Sequence, residues 1–159
     1  MHPSAQKVQD ALRERGYLGN VVELEASTRT AVEAAQAAGC EVGQIVKSLV
    51  FMLHPAREGE KKPILVLVSG PNRVHEKHLG RLLGGILVRA DAEYVREVTG
   101  FAIGGIPPVG HISPLNTYID EDLLQYSTVW AAAGTPNAVF QIFPAQLVEI
   151  SNGQVVSVK

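Results

Sequence analysis

The stretch Ile45-Val46-Lys47-Ser48-Leu49-Val50-Phe51 is apolar except for a lysine and the serine that follows it. Further along the chain, Ile64–Val68 is apolar throughout, as is typical of a strand buried on both faces. The connection between the two runs is polar and contains Gly59, so it has the character of a hairpin. The sequence therefore predicts two strands, Ile45–Leu53 and Ile64–Val68, joined by a polar turn.

Capping residues and glycines predict helices on either side of these strands. The predicted helices begin at Ser4, at Thr28 or Thr30, at Val74 and at Asp91, and they end near Gly16, Gly39, Gly84 and Gly100; Pro144 opens a short helical turn. The other predicted strands are 21–24, 86–88, 117–119, 128–132, 140–143 and 155–158. Strands outnumber helices and do not alternate with them regularly. We therefore expect a mixed α/β (α+β) fold with a mostly antiparallel sheet that curls toward a barrel and carries helices outside.

The length and composition indicate one domain that spans residues 1–159. The chain is 46% hydrophobic, and it contains no repeat, linker or low-complexity tract. Its apolar runs have the length of strands, so no membrane span is predicted, and the polar N-terminus lacks the apolar core of a signal peptide. Cys40 is the only cysteine, which excludes an internal disulfide and fits the reducing cytoplasm.

The charge is distributed unevenly along the chain. The net charge of −2 argues against binding to nucleic acid through a broadly basic surface. Every Lys and Arg except Lys159 lies at or before Arg96, so contacts with a phosphate backbone are predicted in the first two thirds. The candidate residues for such contacts are Arg13, Arg15, Arg29, Arg73, Lys77 and Arg81.

Lys47 is the most informative single residue. A lysine among apolar residues pays a large desolvation cost unless a partner or a cavity receives its ammonium group. Two interpretations follow from the pattern. The side chain faces water on a half-exposed strand, or it enters a ligand site and binds an anion or a carbonyl oxygen.

The loop from Gly100 to His111 contains the second candidate feature, the adjacent glycines Gly104 and Gly105. Such glycines allow the backbone to approach a ligand closely, and backbone amides aimed at an oxygen can stabilise negative charge. The alternative is a tight turn without chemistry. The loop has neither the Gly-Lys-Ser/Thr of a phosphate-binding Walker loop nor the spacing of a dinucleotide fingerprint.

The remaining chemistry-bearing residues form no familiar catalytic set. The five histidines make no zinc-binding pattern, there is no Gly-x-Ser-x-Gly motif, and Cys40 follows a predicted helix end. We therefore predict no metal, no cofactor and no covalent nucleophile. The small residues Ala131-Ala132-Ala133-Gly134 either line a pocket for a small group or pack closely against a helix.

Taken together and in order, these features resemble the YbaK/EbsC family, which is related to the editing domain inserted in bacterial prolyl-tRNA synthetases. The resemblance rests on Lys47 in an apolar strand, on Gly104-Gly105-Ile106-Pro107-Pro108-Val109-Gly110, and on Ala133-Gly134 near the end. It implies that Lys47, Gly104 and Gly105 are the catalytic residues. The candidate substrate-binding residues are Ser48, Ala133, Gly134, Thr135 and His111, the last with no role carried over from the family.

The resemblance implies a free-standing cytoplasmic hydrolase that removes a wrong amino acid from tRNA. Its partner is the aminoacylated 3′ end of tRNA, and an aminoacyl-tRNA synthetase is a candidate second partner. Several family members carry Ser-Gly-Gly where this chain has Ala132-Ala133-Gly134, so we expect small amino acids in general rather than cysteine alone. The alternative is a non-catalytic module that binds an aminoacyl-adenylate or the tRNA 3′ end.

Overall fold

The computed structural model describes residues 1–159 and contains five α-helices and eight β-strands. The helices are α1 (Pro3–Glu14), α2 (Ala31–Ala38), α3 (Glu76–Leu82), α4 (Ala92–Thr99) and α5 (Pro144–Ser151). The strands are β1 (Val22–Glu23), β2 (Ile45–Pro55), β3 (Lys62–Ser69), β4 (Gly85–Arg89), β5 (Asn116–Asp120), β6 (Val129–Ala132), β7 (Ala138–Ile142) and β8 (Gln154–Val156). Two 3₁₀ turns, Val42–Gln44 and Glu121–Gln125, were not predicted.

All eight strands belong to one mixed sheet. Its order is β1-β7-β6-β2-β3-β5-β8, and β4 pairs with β2 beside this path. Four strand pairs are antiparallel and three are parallel. The predicted mixed α/β class is confirmed. The sheet does not close into a barrel, because the strands at its two ends, β1 and β8, are not paired with each other.

The long strand β2 has an interrupted edge. On one side it pairs with β3 from Val46 to Leu53. On the other side β6 pairs only with its first residues, Ile45 and Val46, and β4 pairs only with its second half, from Phe51 onward. On this second side, between β6 and β4, no strand pairs with the segment from Lys47 to Leu49. The sheet therefore contains a gap at the position of the predicted functional lysine.

Two hydrophobic cores lie on opposite faces of this sheet. The larger core contains Val46 and Val50 from β2 together with side chains of α1, α4 and α5. The smaller core contains Phe51 and Leu53 from β2 and Leu79 from α3. Successive strand residues point to opposite faces, so β2 contributes to both cores in alternation. Complete burial of the strand Ile64–Val68 anchors the sheet between them.

Local signals explain most of the helix ends. Thr30 caps α2 and Asp91 caps α4 through their side chains, and Gly39 and Gly100 end these helices in the left-handed conformation, as predicted. The cap of α1 is different from the prediction. The cap residue is His2, whose Nδ1 accepts a hydrogen bond of 3.0 Å from the Ser4 amide. Because the helix begins at Pro3, the predicted cap Ser4 lies inside the first turn. No helix of the chain has both the length and the apolar character needed to cross a membrane.

Candidate active site

A cleft of about 630 Å³ opens at the gap in β2. Its walls come from four parts of the chain: the segment before and at the start of α2, the first half of β2 with the preceding 3₁₀ turn, the turn after β3, and the glycine loop after α4. Ala132 at the end of β6 completes the lining. The residues that line the cleft are Thr28, Arg29, Thr30, Ala31, Val32, Val42, Ile45, Val46, Lys47, Ser48, Leu49, Gly70, Pro71, Ile103, Gly104, Ile106 and Ala132.

Lys47 is half-buried in this cleft, and its ammonium group has no carboxylate partner. Nζ donates one hydrogen bond, 2.6 Å long, to the backbone carbonyl of Asn72. The only ion pair in the structure joins Lys159 to Asp122. Burial lowers the pKa of Lys47, and the positive charges of Arg73 and Arg89 lower it further, while Asp120 acts in the opposite direction. Because an ammonium group has three N–H donors, two remain available to a ligand.

Ser48 brings an unpaired hydroxyl to the same cleft. Its Oγ is buried and has no hydrogen-bond partner in the chain, the only such side-chain atom in the protein. The Val50 carbonyl accepts a hydrogen bond from Ala90 on the β4 side, and residues two apart in a strand direct their backbone groups alike. The backbone N–H and C=O of Ser48 are therefore directed toward the gap between β4 and β6. Buried polar groups are normally paired, so this residue fits a site for a polar ligand.

The two glycines of the loop have different surroundings. Gly104 lines the cleft and has a φ of +96°, a backbone conformation that other residues rarely adopt. Gly105 does not line the cleft. It is buried against the Gly134–Thr135 backbone, and its carbonyl accepts a hydrogen bond of 2.9 Å from the Gly134 amide. The structure thus brings Gly104 together with Lys47 in the cleft lining. Gly105 lies outside the lining, where its contacts with residues 134 and 135 support the loop.

The late small-residue segment contributes one residue to the cleft, Ala132. The predicted substrate-binding residues Ala133, Gly134 and Thr135 are not in its lining. Ala133 is fully buried in the larger core, and Gly134 packs against the first turn of α1. Thr135 is buried, and its hydroxyl donates to the Asn137 side chain.

His111 lies outside the cleft, in a separate depression that it shares with Arg15. Its Nε2 is 2.7 Å from the Pro107 carbonyl oxygen. Burial lowers the pKa of His111, although the hydrogen bond to Pro107 acts in the opposite direction. These contacts hold the proline segment of the loop, so the structure gives His111 no contact with a ligand of the Lys47 cleft.

Sequence reasoning did not identify the wall formed by residues 28–32. Arg29 was predicted only as one of six phosphate-binding candidates, yet it lines the cleft directly, and its Cγ lies beside Gly104. Its guanidinium group makes no hydrogen bond or ion pair within the chain. The other candidates are dispersed. Arg73 is near enough to Lys47 to lower its pKa, whereas Arg13 and Arg15 are hydrogen-bonded to backbone carbonyls at the end of α1.

The chemical inventory of the cleft is restricted. Its side chains supply cations, hydroxyls and apolar groups, but no carboxylate, imidazole or thiol. No group of three or more His, Cys, Asp or Glu side chains in the chain is arranged to hold a metal ion. The cations and hydroxyls of this lining are suited to an anionic or ester-bearing ligand. An open mixed sheet whose gap holds a lysine without a carboxylate partner is the feature that locates the candidate site.

The chain belongs to the aminoacyl-tRNA editing domain family, whose model matches residues 25–150. It is thereby an aminoacyl-tRNA deacylase. It is 31% identical over 136 residues to the uncharacterized protein YwhH of Bacillus subtilis, covering 86% of this chain and 83% of that protein. It is 28% identical over 127 residues to the "Putative Cys-tRNA(Pro)/Cys-tRNA(Cys) deacylase EbsC" of Enterococcus faecalis, covering 79% and 74% respectively. A solved structure described as "a putative trans-editing enzyme for prolyl tRNA synthetase" superposes with a TM-score of 0.92 and 57% identity, covering 100% of this chain and 98% of that chain.

Proposed function

We propose that this protein hydrolyses the ester bond of tRNA mischarged with a small amino acid, and that the reaction takes place in the Lys47 cleft. The observation that carries the proposal is the half-buried ammonium group of Lys47, which lines a cleft without a carboxylate partner. The unpaired Ser48 hydroxyl beside it supplies a second polar contact for the same ligand.

The proposed chemistry needs positioning more than a strong nucleophile. A water oxygen attacks the aminoacyl carbonyl carbon, the bond from this carbon to the ribose oxygen breaks, and that oxygen takes up a proton. Lys47 and the Ser48 hydroxyl would hold substrate oxygens, and Gly104 would let the backbone approach closely. The cleft contains no side chain that is an evident general base, so the neighbouring ribose hydroxyl of the tRNA is the candidate that assists the water.

A small recess supports the preference for small amino acids. The recess measures about 30 Å³, roughly the share of one water molecule in the liquid. It shares Thr28, Ile45, Val46 and Ala132 with the cleft, and eight of its nine lining residues are hydrophobic. A recess of this size and chemistry would hold a methyl-sized group, and serine, cysteine and threonine side chains would extend from it into the adjoining cleft, while aromatic or long side chains would be excluded. It would separate substrates that differ by one methylene only by roughly 10–200-fold.

The positions of the cations support recognition of the tRNA 3′ end. Arg29 lines the cleft, and Arg73 and Arg89 act on the charge of Lys47, so three exposed arginines lie at the cleft or near its lysine. Phosphates attract such groups through charge and bidentate hydrogen bonds. The proposed substrate would be met in the cytoplasm, where translation uses charged tRNA. A prolyl-tRNA synthetase is the candidate protein partner, since the solved relative is described in relation to that enzyme.

The experiment is a panel of deacylation rates on tRNA charged with alanine, serine, threonine, cysteine and phenylalanine. We expect turnover of the four small substrates and none of phenylalanine. Lys47→Met should abolish turnover, and Lys61→Met, which removes an exposed lysine in the turn between β2 and β3, should not change it. Ile45→Val, which takes one methyl group from the recess wall, should raise the rate on threonine relative to alanine by roughly tenfold.

The same panel separates the enzyme from the alternative, a binding module without turnover. Binding of the charged tRNA end without release of free amino acid would favour the module. Activity on phenylalanine alone would refute the small-side-chain preference. Wild-type turnover by Lys47→Met would refute the site itself.

A further inference from the structure

We infer that Asp120 and Asn72 are positioning residues for Lys47, and that they place its ammonium group by holding the turn from Ser69 to Asn72. This inference rests on the proposed role of Lys47. Neither residue lines the cleft, so each would act through the lysine rather than on the substrate.

The turn supplies the only atom in the chain that binds the Lys47 ammonium group, the carbonyl oxygen of Asn72. Gly70 and Pro71 of the same turn line the cleft. The position of the turn therefore fixes both the direction of the lysine side chain and the shape of one wall. Any displacement of the turn moves the two together.

Asp120 holds this turn from the interior. It is fully buried at the end of β5, and its Oδ2 accepts hydrogen bonds from the Ser69 amide at 3.0 Å and from the Asn72 side-chain amide at 2.8 Å. Its Oδ1 accepts from the Asp122 amide at 2.9 Å. One buried carboxylate thus ties the start and the end of the turn to the sheet, and hydrogen bonds to a charged acceptor are the stronger kind.

Two further contacts stop the turn from shifting as a body. The Ser69 hydroxyl donates to the Gly43 carbonyl at 2.6 Å, and a Cβ placed on Gly70 would overlap the Val42 carbonyl. The Asn72 side-chain amide also donates to Asp122 at 2.7 Å. The side-chain amide nitrogen of Asn72 is consequently committed to the two carboxylates, while its main-chain carbonyl binds Lys47.

Asp120 has a second effect, which is electrostatic. Its negative charge raises the pKa of Lys47, against the lowering by burial and by the two arginines. Loss of that charge should therefore make the ammonium group easier to deprotonate. Truncation of Asn72 removes its two side-chain hydrogen bonds, to Asp120 and Asp122, but leaves the charge of Asp120 in place. The two changes predict different responses to pH, which a role in stability alone would not produce.

The test compares Asn72→Ala, Asp120→Asn and the control Glu121→Gln, which removes an exposed carboxylate one residue further along the chain. The readouts are kcat/KM for deacylation of alanyl-tRNA against pH, and the pKa of Lys47 from ¹³C-lysine NMR. We expect Asn72→Ala to lower kcat/KM by about 10–100-fold, as for a small misplacement of a reacting group. The pH at which kcat/KM changes on the alkaline side of the profile, called the alkaline limb below, should not move. Asp120→Asn should lower kcat/KM and also shift the limb and the NMR titration to lower pH. Glu121→Gln should do neither.

The outcomes separate this inference from the proposed function. If Lys47→Met is inactive while folded Asn72→Ala and Asp120→Asn keep the wild-type kcat/KM and the wild-type titration, the inference is overturned and the proposed function stands. If Lys47→Met keeps wild-type activity, the proposed function fails, and the NMR titration alone still decides whether Asp120 acts on the lysine. A shift in Glu121→Gln equal to that in Asp120→Asn would also overturn the inference. If Asp120→Asn does not fold, Asn72→Ala decides the matter through its kcat/KM.

Discussion

Replacement of Gly105 by alanine tests how the glycine loop is supported. A Cβ at this position would lie 3.0 Å from two backbone atoms of Thr135 and 3.1 Å from the Gly134 carbonyl carbon. Ordinary Cβ contacts begin at 3.4 Å. The contacting atoms belong to the backbone of Gly134 and Thr135, so they cannot avoid the new Cβ by a side-chain rotation. The loop and the segment 134–135 must therefore separate by about 0.4 Å, the difference between 3.4 and 3.0 Å. This movement stretches the hydrogen bond from the Gly134 amide to the Gly105 carbonyl.

The expected loss follows from these two effects. Overpacking of a well-packed core costs about 1–3 kcal/mol, and a weakened hydrogen bond adds roughly 0.5–1.5 kcal/mol. We therefore expect Gly105→Ala to lower the free energy of unfolding by about 2–4 kcal/mol. For a chain of this size, that corresponds to a fall in Tm of about 5–15 °C.

Gly104→Ala is the matched comparison. Its Cβ would lie 3.4 Å from the Cγ of Arg29, a flexible side chain, so the cost comes mainly from the φ of +96° and is on the order of 1–2 kcal/mol. Thermal unfolding and deacylation at 20 °C should then give opposite rankings. Gly105→Ala loses more stability, and Gly104→Ala loses more activity per folded molecule. An unchanged Tm for Gly105→Ala, or the reverse ranking, would refute the reasoning.

Three other predictions concern charged groups. Lys47→Met should change the free energy of unfolding by no more than about 1 kcal/mol, because the lost hydrogen bond to Asn72 is offset by removal of a half-buried charge; a loss above about 3 kcal/mol in urea unfolding would contradict this. Because the pKa of His111 is lowered in the folded protein, the unfolded chain takes up a proton on this residue at a higher pH than the folded chain does. The contribution of His111 to stability is therefore present above the ordinary histidine pKa and decreases as the pH falls below it. The Tm of the wild type should therefore fall more between pH 7 and 5 than that of His111→Gln, and parallel curves would exclude this residue as the cause. Binding of a tRNA 3′ end should show a slope of log K against log salt of about −1 to −3, since few cations surround the cleft, and a much steeper slope would indicate a larger basic footprint elsewhere.

Much of the secondary structure could be predicted because it depends on local chemistry. Thr30, Asp91, Gly39 and Gly100 set the ends of α2 and α4 through hydrogen bonds and backbone conformations that involve only neighbouring residues. The uninterrupted apolar run in β3 predicted a strand buried on both faces, and both faces are indeed covered by core. The 3₁₀ turn at Val42–Gln44 was not predicted, although the Glu41 amide donates locally to the Gln44 side chain; the Ser69 hydroxyl adds a tertiary contact by donating to the Gly43 carbonyl.

The sequence by itself determined the mixed α/β class, the pairing of β2 with β3, and the list of residues from which a site could be built. Only the tertiary structure decided which of them meet. Whether Lys47 faces water or a cleft depends on where β4 and β6 stop along β2, and strand pairing of this range leaves no periodic signal in the sequence. Other long-range contacts place Gly104 and Ala132 in the cleft and Gly105 and Ala133 outside it. Long-range contacts also bring Asn72 and the buried Asp120 toward the lysine, from 25 and 73 positions away along the chain. Residue identity thus set the chemistry that is available, and packing between distant segments set which of these groups share one cavity.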